Sequence, residues 1–235
     1  MTSIPLKTSD ISIIIPTLNE ESEVDHWGEL SSHSGEDGGC EVIIVDGGST
    51  DQTVALAQSR GFRVETRPSG RGAQLNYGAR LAKGKVLLFL HADTRIPPGF
   101  AALILRCLNE TATLAGAFSL AIDRAGWRLR FVAHCANLRS RLFALPYGDQ
   151  ALFIRRDDFL RLGGFPETPI MEDFIFIRKA GKQGRVTTLP QAVTTSARRW
   201  RRLGVMRATI INQLVILGFY AGVPLTQLAS LYHRR

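Results

Sequence analysis

Four short strand-like runs recur within the first ninety positions, and helical spacing follows each of the last three. The runs cover residues 10–16, 41–46, 62–66 and 85–90. Most of them lack a strict polar alternation, as strands covered on both faces do. Pro16 ends the first run, and Gly47, Gly48 and Ser49 stop the second. Residues 50–60 place Val54, Leu56 and Ala57 at helical spacing before Gly61; residues 71–82 and 97–109 read as two more helices. Strand, turn and helix alternating in this way imply βαβ units and an open, mostly parallel sheet. Such a sheet binds ligands beyond the carboxyl ends of its strands. Polar clusters fall at three of those ends: Pro16-Thr17-Leu18-Asn19-Glu20, Asp46-Gly47-Gly48-Ser49-Thr50-Asp51 and His91-Ala92-Asp93-Thr94. Three clusters on one rim point to a site there.

The second half is less regular. Residues 116–123 read as a strand, 127–144 as a basic amphipathic helix, and 148–155 as a loop feeding a strand. A helix opens at Glu172-Asp173, and residues 31–39 read as a polar loop. With no repeat or linker in evidence, one domain is expected over residues 1–204, followed by an apolar helical tail over 205–235. The uninterrupted apolar run of that tail, 214–225, is shorter than the roughly 20 residues a spanning helix needs. A core helix and an interfacial, membrane-associating helix both stay open.

Lys and Arg number 29 against 21 Asp and Glu, a net charge of +8. That balance favours phosphorylated small molecules, anionic membrane or nucleic acid. Cys40, Cys107 and Cys135 form no CxxC pair, so neither a zinc site nor a disulfide framework is indicated. Residues 1–10 carry no signal-peptide core, and a cytoplasmic chain is expected, at the inner face of the cell membrane if the tail is interfacial.

Particular side chains carry chemistry. A carboxylate just after a buried strand, such as Asp93, must be paired, solvated or metal-bound. It is an oxygen ligand that Mg²⁺ or Mn²⁺ accepts alongside substrate phosphates. His91 is a second ligand, a donor to phosphate, or a plain strand-end residue. Asp46 could accept from a base or ribose, or serve a turn in which Ser49 or Thr50 caps the next helix. Glu172 and Asp173 either stabilise a helix dipole or supply a general base. Arg71 before Gly72 is a phosphate contact or a helix-capping residue. The cluster Arg198-Arg199-Trp200-Arg201-Arg202 suits a solvated turn, a phosphate clamp or anionic lipid. Nucleic acid is not expected, because the stripe is short and has one aromatic.

Taken in order, these segments resemble the family 2 glycosyltransferases of GT-A fold, from about residue 10 to residue 202. The resemblance is carried by Ile15-Pro16-Thr17-Leu18-Asn19-Glu20, Val45-Asp46-Gly47-Gly48-Ser49-Thr50-Asp51, Arg71-Gly72-Ala73-Gln74-Leu75-Asn76, Leu90-His91-Ala92-Asp93-Thr94, Gly163-Gly164-Phe165, Glu172-Asp173 and Arg199-Trp200. The wording of the third and fourth is similar to a compact bacterial subgroup. The resemblance implies an α/β fold: a Rossmann-like, three-layer α/β/α sandwich with a mostly parallel central sheet. It implies an inverting transferase that moves a sugar from a nucleotide-diphosphate donor to an acceptor hydroxyl. Pro16, Thr17, Asn19, Glu20, Asp46 and Gly47 would line the nucleotide pocket, with Arg71 and Asn76 flanking base or phosphates. His91 and Ala92 would lie beside the donor, and Asp93 would hold Mg²⁺ or Mn²⁺ on the diphosphate. Asp173 would be the base, Glu172 would help place the acceptor, and Arg199 and Trp200 would close over diphosphate and sugar.

The chain departs from the family pattern at Gly47, where relatives carry a second acid, and at His91, where the metal motif usually starts with Asp. The polar segment 22–39 stands where the usual first helix is expected. Two other functions compete. A nucleotidyltransferase would need a Gly-rich, Lys-bearing loop after the first strand, and residues 16–21 contain neither residue. A non-catalytic basic module would bind membrane or nucleic acid through charge alone. The basic helix 124–141, the arginine cluster and the apolar tail suggest a lipid acceptor at an anionic membrane surface.

Overall fold

The four runs form one half of an eight-stranded sheet, the third of them at its edge, in a computed structural model that describes residues 6–32, 39–67, 70–110 and 112–233. In chain order the elements are β1 (Ile11–Thr17), α1 (Val24–Ser32), β2 (Glu41–Asp46), α2 (Thr53–Ser59), β3 (Arg63–Thr66), α3 (Arg71–Leu81), β4 (Val86–Phe89), β5 (Thr94–Arg95) and α4 (Phe100–Asn109). They continue with β6 (Thr113–Ile122), α5 (Trp127–Phe143), β7 (Leu152–Arg155), α6 (Arg156–Arg161), α7 (Glu172–Gly181), β8 (Arg185–Thr195), α8 (Arg198–Leu203), α9 (Val205–Tyr220) and α10 (Leu225–His233). The sheet order is β3-β2-β1-β4-β7-β6-β8-β5. β1 pairs in parallel with β2 and β4, β2 with β3, and β6 with β8, while β7 and β5 run antiparallel to their neighbours.

Both faces of the sheet are covered, which is why the strands read as unbroken apolar runs. Ile13 and Ile15 face a core that includes Trp27 of α1 and Phe100 and Ile104 of α4. Ile14 faces the opposite core with Leu75 and Ala79 of α3 and Phe176 of α7. The layers are therefore helix, sheet, helix, as the strand pattern implied.

Two expectations change. The segment 22–39 does contain a helix, α1, whose Val24, Trp27 and Leu30 recur every third residue and are buried. Part of the expected polar loop, residues 33–38, lies outside the described residues. The second is β8, which the sequence reading passed over. Pro190 sits inside it, and proline cannot donate to a ladder. The parallel register with β6 jumps from Ala117↔Thr188 to Ser119↔Ala192, so Leu189, Pro190 and Gln191 stand out of the ladder as a bulge.

The tail docks on the domain. Ala208, Ile211 and Val215 of α9 are buried, and α10 folds back so that Leu228 joins Met171 and Phe174 in one cluster. Gly218 permits this return: a Cβ there would lie 2.7 Å from Leu228 Cδ2. Among the described residues no helix is long and apolar enough to cross a membrane.

Candidate active site

The carboxyl ends of β1, β2 and β4 border a cleft of about 370 Å³. Its walls include the expected Pro16, Thr17, Glu20, Gly47, Arg71, His91, Ala92 and Asp93, together with Leu18, Gly70 and Gln74.

Asp46 organises the rim from within. It is 1% exposed, and its carboxylate accepts from the Gly48 and Ser49 amides at 2.8 Å and from the hydroxyls of Ser49 and Thr17. Those partners occupy it locally. Asn19, in the left-handed region at φ 56°, bridges the first two clusters: its Oδ1 accepts from the Thr50 amide at 2.8 Å. Gly47 also has a physical reason. Gln74 reaches from α3 to donate to the carbonyls of Thr17 at 3.0 Å and Val45 at 2.8 Å. A Cβ on Gly47 would sit 3.0 Å from that Gln74 amide nitrogen, so the glutamine takes the space a second acid would need.

One end of the cleft is a carboxylate pair bridged by an arginine. Arg198 Nη2 donates to Glu20 Oε2 at 2.7 Å and lies 3.8 Å from Asp93 Oδ2. Burial raises the Asp93 carboxyl, with Arg198 opposing; burial likewise raises Glu20, again with Arg198 opposing. Trp27 Nε1 donates to the Ala92 carbonyl at 2.9 Å, so α1 holds the Asp93 segment in place. Hard carboxylate oxygens facing a cleft suit Mg²⁺ or Mn²⁺. Among the described residues no three or more metal-ligating side chains converge, so remaining positions on such an ion fall to phosphate and water.

At the other end, three expected residues converge on Gly148. A Cβ there would lie 2.5 Å from Arg71 Nη2, 2.9 Å from Asp173 Oδ2 and 3.0 Å from His91 Nε2. Arg71 also pairs with buried Glu172 at 3.1 Å and donates to His91 Nε2. His91 Nε2 is thus taken by an arginine, which leaves that nitrogen unsuited to a metal. Burial, then the Arg71 charge, holds the imidazole well below its usual pKa and so neutral. Burial raises Glu172, with Arg71 opposing. Asp173 is aimed by two amides: Gly148 donates to Oδ2 at 2.5 Å and Phe174 to Oδ1 at 2.7 Å.

Three expected contacts lie elsewhere. Asn76 makes two hydrogen bonds to the backbone of Phe165, at 2.8 and 2.9 Å, and so ties α3 to the Gly163-Gly164-Phe165 turn. Trp200 does not cover the cleft; it is buried among Leu120, Ile122, Leu129 and Ala208. Arg199 stacks on Tyr232 of α10, 3.6 Å from the ring centroid. Tyr232 and Asp149 are site residues that the sequence reading missed. Burial raises the Asp149 carboxyl to about 6, and its Oδ1 is sealed without a partner.

The sequence profile described as glycosyl transferase family 2 matches residues 12–156. The chain belongs to glycosyl transferase family 2. An uncharacterized glycosyltransferase of Rickettsia bellii is 34% identical over 92 residues, which is 39% of this chain and 30% of that protein. The mannosyltransferase PcManGT of Pyrobaculum calidifontis, solved with GDP-Man and Mn²⁺, superposes with a TM-score of 0.65 at 19% identity, over 90% of this chain and 65% of that one. S. aureus TarS 1-349 with UDP-GlcNAc gives 0.61 at 20% identity, over 79% of this chain and 58% of that one. Glucosyl-3-phosphoglycerate synthase of Mycobacterium tuberculosis, with Mn²⁺, UDP and phosphoglyceric acid, gives 0.61 at 19% identity, over 87% and 77%. The family member described here therefore has the GT-A fold.

Proposed function

We propose that the chain is an inverting transferase that moves a sugar from a nucleotide-diphosphate donor to an acceptor hydroxyl. The observation that carries this reading is the convergence of Arg71, His91 and Asp173 at one end of a cleft whose other end holds Asp93. The donor nucleotide occupies the rim of Pro16, Thr17, Glu20 and Gly47, and its diphosphate runs between Asp93 and Arg71. Mg²⁺ or Mn²⁺ held by Asp93, when bound, neutralises the leaving diphosphate. Asp173, fixed by two amides, takes the acceptor proton as the acceptor oxygen bonds to the anomeric carbon and the bond to the diphosphate oxygen breaks. Displacement from the face opposite the leaving group inverts that carbon. Glu172 anchors Arg71, and neutral His91 keeps the same guanidinium turned toward the donor side.

The acceptor is read as a lipid-borne hydroxyl at an anionic membrane, at the cytoplasmic inner face. The arginine-rich α8 and the apolar α9 beside α7 support that reading. One specific observation favours a metal-free variant: Arg198 already sets a cation between Glu20 and Asp93.

Release of nucleoside diphosphate from a panel of nucleotide sugars tests the reading. Asp173→Asn should lower transfer by about 100-fold or more and leave donor binding intact. Unchanged turnover in that variant would remove Asp173 as the base.

A further inference from the structure

Ten of the twelve large apolar side chains that are exposed among the described residues lie on just two helices, α5 and α9. Scattered singly they would need no explanation. Here they line up. Trp127, Phe131, Leu138 and Leu142 follow one stripe of α5, at 70, 64, 48 and 66% exposure. Met206, Ile210, Leu214 and Leu217 follow one stripe of α9, at 68, 52, 46 and 63%. The inner faces of the two helices meet, with Leu129 and Ala133 of α5 and Ala208 of α9 in one buried cluster. Each stripe lies on the side of its helix turned away from that cluster.

The charge on α5, α8 and α9 themselves has one sign. No carboxylate side chain occurs between Arg124 and Gly148, and none occurs after Asp173. Arg128 and Arg130 project from α5 and Arg201 and Arg202 from α8, all exposed. An apolar stripe on a helix that carries arginines and no acid is the pattern of a helix lying in a bilayer interface. A second copy is a poor occupant: a two-fold interface would set the same arginines against one another with no acid to pair them.

We propose that the α5–α9 face docks peripherally on an anionic lipid bilayer, with Trp127, Phe131, Leu142, Leu214 and Leu217 entering the interface and the arginines contacting headgroup phosphates. The docking face rests on the membrane placement proposed for the acceptor and does not need the transfer reaction itself. Because α9 packs on Met171 and Phe174, beside Asp173, docking brings the base end of the site close to the lipid plane.

Co-sedimentation of the full chain with vesicles tests this. Vesicles of phosphatidylglycerol in phosphatidylcholine should bind it, pure phosphatidylcholine should bind it far less, and binding should fall with salt. Phe131→Glu with Leu214→Glu should reduce binding to anionic vesicles by tenfold or more, and Arg128→Gln with Arg130→Gln by about thirtyfold at low salt. The thermal midpoint and the shift given by nucleoside diphosphate, read on the same samples, show that the variants fold and keep the donor site. Equal binding to both vesicle types, no vesicle binding, or a concentration-dependent dimer lost in the Phe131→Glu, Leu214→Glu protein would each overturn the proposal. Loss of transferase activity alone would leave the vesicle result standing.

Discussion

The Arg199 guanidinium lies 3.6 Å from the centroid of the Tyr232 ring, and its Nη2 donates to the Tyr232 carbonyl at 3.5 Å. A residue of α8 thereby clamps the last helix over the site. The Tyr232 phenol is buried, which raises its pKa, with the charges of Arg199 and Arg71 opposing and those of Asp173 and Asp149 adding.

Tyr232→Ala removes the stack, which is worth about 0.5–2 kcal/mol, and uncovers the side that holds Asp173. The thermal midpoint should drop by a few degrees and the acceptor KM should rise, with the nucleoside diphosphate shift unchanged. Tyr232→Phe keeps the ring and should restore the midpoint. Steady-state kinetics at varied acceptor, beside a melting curve, checks both; an acceptor KM unmoved by Tyr232→Ala would free α10 from the site.

Trp27→Phe deletes the bond from Nε1 to the Ala92 carbonyl. A buried carbonyl left without its donor costs about 1–3 kcal/mol. The effect should also reach function, because Ala92 is joined to Asp93: the Mn²⁺ concentration needed for half-maximal nucleotide binding should rise. A stability loss with unchanged metal dependence would make α1 purely structural.

Asp149 should set part of the pH profile of stability. Its carboxyl is near 6 in the fold against an ordinary 3.8. Between these values the native state holds more protons than the unfolded chain, so stability falls as pH rises from about 4 to about 6. At neutral pH the whole penalty is present, at most about 3 kcal/mol. His91 acts the other way: its depressed pKa removes stability as pH falls through about 6.5. That contribution is common to wild type and Asp149→Asn and cancels in their difference. Denaturant melts near pH 4 and pH 7 should show Asp149→Asn gaining on the wild type at the higher pH; parallel profiles would contradict the buried carboxyl.

The rim of the site was legible because burial on both faces writes β1, β2 and β4 as apolar runs, and polar residues crowd where those runs stop. Helix α1 left a signal too, in the three-residue spacing of Val24, Trp27 and Leu30, but its polar surroundings masked it. Strand β8 was hidden by Pro190, which the bulge against β6 accommodates. The companions of Asp173 were not legible. Gly148, Asp149 and Tyr232 reach it only through packing between distant segments, and no local spacing records that. Trp200 shows the converse: its motif placed it at the cleft, and the arrival of α9 buried it in a core.

Asp93 and the rim beside it are proposed to hold a metal-bound nucleotide diphosphate. Thermal shift with UDP and GDP, each with Mn²⁺ and each with chelator, measures this on the full chain. A rise in midpoint is expected with at least one nucleotide, largely lost on chelation and lost in Asp93→Asn. No shift with either nucleotide, or a shift equal in Mn²⁺ and chelator and unchanged in Asp93→Asn, would contradict it.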